Sequence, residues 1–356
     1  MTRLHFAIAS IFLLPLLAGA QGPITPPPGV PTAGMKTLQE IWDKVNGQPV
    51  EKRIPLSAPA TLNAPGSYYL TGNITSASGT AFSINGAGIT LDLNGFTIDA
   101  RSNADGDGIV MSSTARNVQI KNGQILGGVT RTSGVFSAGN FEGIVGSNGT
   151  TGVIIEGVSV SGAKYGIDVK VIVGSVVKDC TVSLCSSHGI RAASVVDSSA
   201  FVCEATGIEG DRVSGCTSES LGGGPGAPTG IRGGQVSHCH AKGAGTSGGT
   251  GITADSVTDC VVTNTGSGAG IFADVISNSK STVTSGNAIV GSTITNCTGI
   301  TASGSRAIWA SNGTVSNSRG ERSSGGGTAI EAVVATGCTA PAGQAITATV
   351  KQNCVP

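Results

Sequence analysis

Aromatic residues make up only 4% of this 356-residue chain, and charged residues only 12%. The charges balance at 21 against 21, and no basic cluster interleaved with aromatics occurs. That excludes nucleic acid as an expected partner. Leucine is too rare and too scattered for leucine-rich repeats, which need Leu at fixed places. After the first twenty residues no apolar run is long enough to cross a bilayer. Glycine is abundant, at 56 residues, but it has no three-residue period, so collagen is excluded. Mean hydropathy is +0.19, too high for a disordered chain. What remains is a core of small, β-branched side chains with many tight turns.

The N-terminus reads as an export signal. MTRLH carries one basic residue, FAIASIFLLPLLAG is an apolar run, and Ala18-Gly19-Ala20 fits a small-x-small cleavage site. The expected products are a signal peptide over 1–20 and a mature chain from Gln21, secreted to the extracellular space or the periplasm. Residues 21–34 form a Pro/Gly linker. Within 35–66, read as an N-terminal cap, Leu38, Ile41, Trp42 and Val45 recur at helical spacing before Asn46-Gly47. This is one short amphipathic helix, expected to cover the near edge of the domain at 67–356.

From 67 to 356 the chain repeats. Gly-Ile or Ala-Ile starts fall at 108, 143, 166, 189, 207, 230, 251, 270, 288, 307, 329 and 345, and after 143 the spacings run from 16 to 23. Such periods mean a solenoid. Ile stands one place after each start, a small residue three after, and usually Val or Ile six after. Period-two alternation is strand, so successive turns must stack as parallel strands.

Nine places after most starts stands Cys or Ser. Cys180, Cys216, Cys239, Cys260, Cys297, Cys338 and Cys354 occupy this column, with Ser198, Ser279 and Ser318 between them. The preceding residue is Gly, Asn or Asp, with His238 the one departure. Those types tolerate a left-handed bend, so each rung turns a corner there. The ladder therefore reads as structural, a stack of small inward side chains. Cys185 and Cys203 lie five places past it in adjacent rungs and form a second stacked pair, within reach of a disulfide in an oxidising compartment.

NITSASGTAFSINGAGITLDLNGFTIDA (73–100) and GIVMSSTARNVQIKNGQILGG (108–128) resemble secreted right-handed parallel β-helix repeat proteins. The upstream MKTLQEIWDKV, EKRIPL and APGSYYLTGNIT resemble the leader of such proteins in environmental bacteria. The resemblance covers about 35–356. It implies a right-handed solenoid, in keeping with the crossover rule. The wider fold includes pectate lyases, polygalacturonases, alginate epimerases and phage tailspikes, and also surface proteins with no catalysis. The fold alone does not choose among them.

No complete catalytic motif is present. The outward column two places after each start reads Asp168, Arg191, Glu209, Arg232, Thr253, Phe272, Val290, Trp309, Glu331, Thr347. Its first four members alternate in charge, as an ion-pair ladder would. Asp168 and Glu209, two rungs apart with Arg191 between, are the weak candidates for catalysis. Arg232, Phe272 and Trp309 are the candidates for ligand binding, the two aromatics as exposed platforms for sugar rings. Asn103, Asp105 and Asp107 make a turn that admits calcium, without the later acids of a calcium loop. His238-Cys239-His240 offers too few ligands for a metal, and a hydrogen bond from His238 to Asp259 one rung above accounts for it.

The expectation ranked first is a secreted surface or matrix protein that binds polysaccharide without catalysis. The alternatives are a polysaccharide lyase, hydrolase or epimerase, and a structural or adhesive rod with a protein partner. The C-terminal edge of the ladder, ending at Cys354, is expected to invite self-association.

Overall fold

A computed structural model describes residues 38–46, 52–103, 105–220, 228–243, 248–304, 306–324 and 327–356. The expected signal peptide and linker lie outside the described residues. The chain divides into two units, Met1–Lys52 and Arg53–Pro356. In the first, the described structure is a single helix, Leu38–Asn46. Leu38, Ile41 and Trp42 on it are exposed to solvent. No described helix is long and apolar enough to cross a membrane.

The second unit is a parallel β-solenoid. Each turn supplies short strands to three faces, and corresponding residues stack from rung to rung. Its first strand is Ile54–Leu56, which pairs in register with Tyr68, Tyr69 and Leu70. The solenoid therefore begins some dozen residues before the expected boundary at 67. The segment EKRIPL lacks a Gly-Ile start, so nothing in the repeat pattern marks it as a rung. One long spacing, from 108 to 143, holds an inserted hairpin in which Arg131–Thr132 pairs antiparallel with Val135–Phe136.

The inner columns hold the rungs together. Ile109, Ile144, Ile167, Ile190, Ile208, Ile231, Ile252, Ile271, Ile289, Ile308 and Ile330 stack as one fully buried line. Each such side chain contributes about 1.5–3 kcal/mol by leaving water. The start residue beside this line is small because the next rung passes over it. A Cβ on Gly143 would stand 2.3 Å from the carbonyl oxygen of Gly166, and one on Gly189 would stand 2.5 Å from that of Gly207. Only Gly, or Ala in the later rungs, fits so close an approach.

The corner column is left-handed at every rung. Gly95, Asn122, Gly157, Asp179, Asp197, Gly215, His238, Asp259, Asn278, Asn296, Asn317, Gly337 and Asn353 all have positive φ. His238 adopts it too and faces Asp259, with Nε2 3.6 Å from the carboxylate.

The ladder next to the corner has a specific chemistry. The backbone N–H of Cys216 donates to Cys239 Sγ, and that of Cys239 to Cys260 Sγ. Where serine substitutes, the N–H of Cys180, Cys260 and Cys297 donates to Ser198, Ser279 and Ser318 Oγ. The same side chains donate to the carbonyl two residues back, as Ser279 Oγ does to Ser277 and Cys260 Sγ to Thr258. The corner would otherwise leave a buried N–H unpaired, which costs about 1–3 kcal/mol. The position thus requires a small side chain with both a donor and an acceptor at γ, and only Cys and Ser meet that requirement without a branch. Burial raises the Cys180 thiol to about 11, which leaves it inert as a nucleophile at neutral pH.

Cys185 and Cys203 face each other in register, and both are free thiols. No disulfide joins them here. All nine cysteines are free, and only Cys354, in the last rung, is partly exposed.

Candidate active site

The face that begins with the Gly-Ile starts carries the outward column expected from the sequence. Val145, Asp168, Arg191, Glu209, Arg232, Thr253, Phe272, Val290 and Trp309 stack in unbroken register. Arg191 is the clasp of its charged part. Its Nη1 lies 2.9 Å from Asp168 Oδ2 and its Nε 3.1 Å from Glu209 Oε2. Lys170 donates a second cationic bond to Glu209. Glu209 is nearly buried, with 9% of its side chain exposed. Burial pushes its carboxyl up, but the Lys170 ammonium and then the Arg191 guanidinium outweigh that and hold it below the ordinary range. Asp168 and Glu209 are therefore brought together as an ion-paired set, and Glu209 has no proton to give at neutral pH. That removes Glu209 as the general acid of a glycoside hydrolase, and its carboxylate is already held by Lys170 and Arg191.

Beside this column lies a second one that sequence reasoning missed, made of the residue just before each start. Here Asp107 and Glu142 are register partners. In the next rungs, the N–H of Gly143 donates to the carbonyl of Tyr165 and that of Gly166 to the carbonyl of His188. The start glycine thus ties each of these residues over the one below. The rings of Tyr165 and His188 stack with centroids 5.6 Å apart and planes 28° from parallel. Lys164 Nζ stands 5.5 Å from the Tyr165 ring centre. His188 Nδ1 is 2.8 Å from Ser187 Oγ. The Tyr165 hydroxyl has no hydrogen-bond partner among the described residues. The signal was available: Asp107, Glu142, Tyr165 and His188 occupy one offset at four successive starts, before Thr206, Thr229 and Thr250 take it over.

The two columns form one electrostatic site. Burial pushes the His188 imidazole down, the charge on Arg191 pushes it further, and Glu209 and Asp168 pull it partly back. Arg232 also acts on it. The ring is therefore neutral at ordinary pH. Burial raises the Glu142 carboxyl, and the charges on Asp107 and Asp168 add to that against Lys164. Burial likewise raises Asp107, opposed by bonds from the Glu142 backbone and the Thr80 side chain. Arg232 is exposed and has no ion-pair partner among the described residues.

One expectation is corrected on this face. Trp309 is not an open platform: the Arg306 guanidinium covers its ring at 4.9 Å and pairs with Glu331. Its indole Nε1 is buried without a hydrogen-bond partner. Phe272, in contrast, is 53% exposed. Of the residues that admit calcium in the sequence, Asn103 is engaged with the protein. Asn103 points its amide inward to the Gly79 carbonyl at 2.7 Å, and its Oδ1 accepts from the Asp105 N–H. Among the described residues no group of three or more His, Cys, Asp or Glu is placed to hold a metal ion.

No family model and no curated protein matches the chain. Among solved structures it is similar to the A-module of the mannuronan C-5 epimerase AlgE6 from Azotobacter vinelandii. That match has 12% identity and a TM-score of 0.36, over 85% of this chain and 84% of the other. It is also similar to the enzymatically active domain of tailspike protein 2 from bacteriophage CBA120, at 14% identity and a TM-score of 0.32. That match covers 77% of this chain but only 44% of the tailspike chain. At this level of similarity neither match bears on activity, and the description of the fold rests on the strand registers.

Proposed function

We propose that the protein is an exported enzyme that acts on an acidic polysaccharide by removing the proton next to a uronate carboxyl group. This reverses the order suggested by the sequence, in which binding without catalysis came first. The observation that carries it is the Tyr165–His188 pair: a neutral imidazole, influenced by the charges of Arg191 and Arg232, stacked on a phenol whose hydroxyl has no hydrogen-bond partner among the described residues. Abstraction of a uronate C5 proton needs a base that is neutral at working pH, a cation against the sugar carboxylate, and a proton donor. In the tautomer where His188 Nδ1–H donates to Ser187 Oγ, Nε2 is the open basic nitrogen. Arg232, free of ion pairs among the described residues, is the cation suited to the carboxylate, and Arg191 is already engaged. His188 takes the C5 proton, the C–H electrons form the C4=C5 double bond, and the C4–O4 bond breaks. The Tyr165 phenol gives its proton to the departing oxygen. Return of a proton to the opposite face of C5, before the C4–O4 bond breaks, would give the epimer instead.

One observation supports a second reading. Asp107 and Glu142 are adjacent carboxyls, one rung apart, and burial raises both. A rung of roughly 4.8 Å is near the separation of a retaining glycosidase pair. The two readings leave different products. The chain is incubated with polyuronates and with neutral glycans, and unsaturated sugar ends, new reducing ends and C5 inversion are followed together. Unsaturated ends or inversion from polyuronates support the proposal. Saturated reducing ends alone favour the carboxyl pair. No change in any glycan would sink both.

A further inference from the structure

We infer that Phe272 is a distal docking subsite, placed so that the protein grips only chains long enough to span from His188 to it. The inference rests on the reading that a glycan lies along this face. His188 shares its rung with Arg191, and the outward column then passes Glu209, Arg232 and Thr253 before reaching Phe272. That is four steps of roughly 4.8 Å, about 19 Å in all. Each step is comparable to the advance of one sugar residue in an extended chain, so the column works as a ruler of four to five sugars.

The chemistry changes at the end of the ruler. From Asp168 to Arg232 every member is charged, and beyond Arg232 no charged residue stands in the column until Glu331. Phe272 is 53% exposed, with Thr253 on one side and Val290 on the other. The apolar face of a pyranose covers such a ring, and its hydroxyl rim stays in water. Trp309, two rungs further, cannot take the role because Arg306 covers it. A protein partner fits less well. One exposed aromatic between threonine and valine is far below the roughly 1,200 Å² that a stable protein interface buries.

The test is binding of a length series of oligouronates, from dimers to decamers, by calorimetry. It is run on the full chain carrying His188→Gln, so that turnover does not consume the ligand. Affinity is expected to rise about 3–10-fold in one step, between trimer and hexamer, as the ligand reaches the ring. Adding Phe272→Ala should remove that step, and Phe272→Tyr should keep it. A smooth rise with length, or a step that survives Phe272→Ala, overturns the inference. Product formation by the unaltered chain is measured alongside. If it is present while the step is absent, the docking subsite falls and the catalytic reading stands. If it is absent while a Phe272-dependent step is seen, the docking subsite stands and the catalytic reading falls.

Discussion

The two halves of the Gly-Ile face share one interior and differ outside. From Asp107 to Arg232 the outward positions carry carboxylates, cations, a phenol and an imidazole. From Thr250 to Val290 the same offsets carry Thr250, Thr253, Ala269, Phe272, Asn287 and Val290. Beneath both runs the same buried isoleucine line and the same small start residues. The solenoid fixes its fold with inward columns and corners, and leaves its outward columns free. Ionisable residues concentrated in one half are therefore not needed for the fold. A dry charge such as Glu209 costs free energy to keep, and its cluster lies in the half to which the proposed reaction is assigned.

The sharpest way to break this contrast is to remove the base. His188→Gln is expected to lower product formation on a polyuronate by about 10²–10⁴-fold, the range for loss of a general base. The equivalent change in the other half, Asn287→Ala, should leave the rate within about twofold, as surface changes do. Both are read as initial rates of unsaturated-product release.

The pH dependence follows from the same residue. The folded imidazole lies below its ordinary value near 6.5, so the unfolded chain binds the proton first as pH falls. The stability it contributes is complete above about pH 6.5 and is lost as pH falls through the folded value. Activity should decline on the same acid limb, as the base becomes protonated. In His188→Gln that limb should disappear from the melting temperature measured against pH.

Next in size are stability effects. Arg191→Ala leaves Asp168 without its ion pair and Glu209 with Lys170 alone. It should cost about 1–3 kcal/mol in denaturant unfolding. Phe272→Ala, on an open surface, should stay within about 0.5 kcal/mol. Within the ladder, Cys239→Val strands the Cys216 N–H and should cost about 1–3 kcal/mol, while Cys239→Ser restores a donor and acceptor and should cost less. Equal losses for valine and serine would show that the thiol matters for its packing alone.

Much of the scaffold was legible in the sequence, and the reason is periodicity. The buried isoleucine line, the left-handed corner and the cysteine-serine ladder each repeat at one offset, and a demand made at every rung leaves a column. Even His238 fell into its place among the corner residues. The site was only half legible. The outward column with Asp168, Arg191 and Glu209 could be read because it alternates with buried neighbours. Asp107, Glu142, Tyr165 and His188 share an offset but no residue type, so their column shows only by position and not by consensus. Their adjacency depends on the backbone bonds of the start glycines. The cover on Trp309 was illegible for a different reason: Arg306 reaches it through a side-chain rotamer, which no spacing records. The first rung at Ile54 escaped because it lacks the repeat's start.

In the proposed reaction Tyr165 and His188 act together on a uronate. Its most direct test is to follow a polyuronate with the unaltered chain, with Tyr165→Phe and with His188→Gln in parallel, scoring unsaturated ends and C5 inversion. Turnover by the unaltered chain is expected, with a loss of about 100-fold or more for each substitution. Turnover that persists undiminished in both variants would contradict the claim.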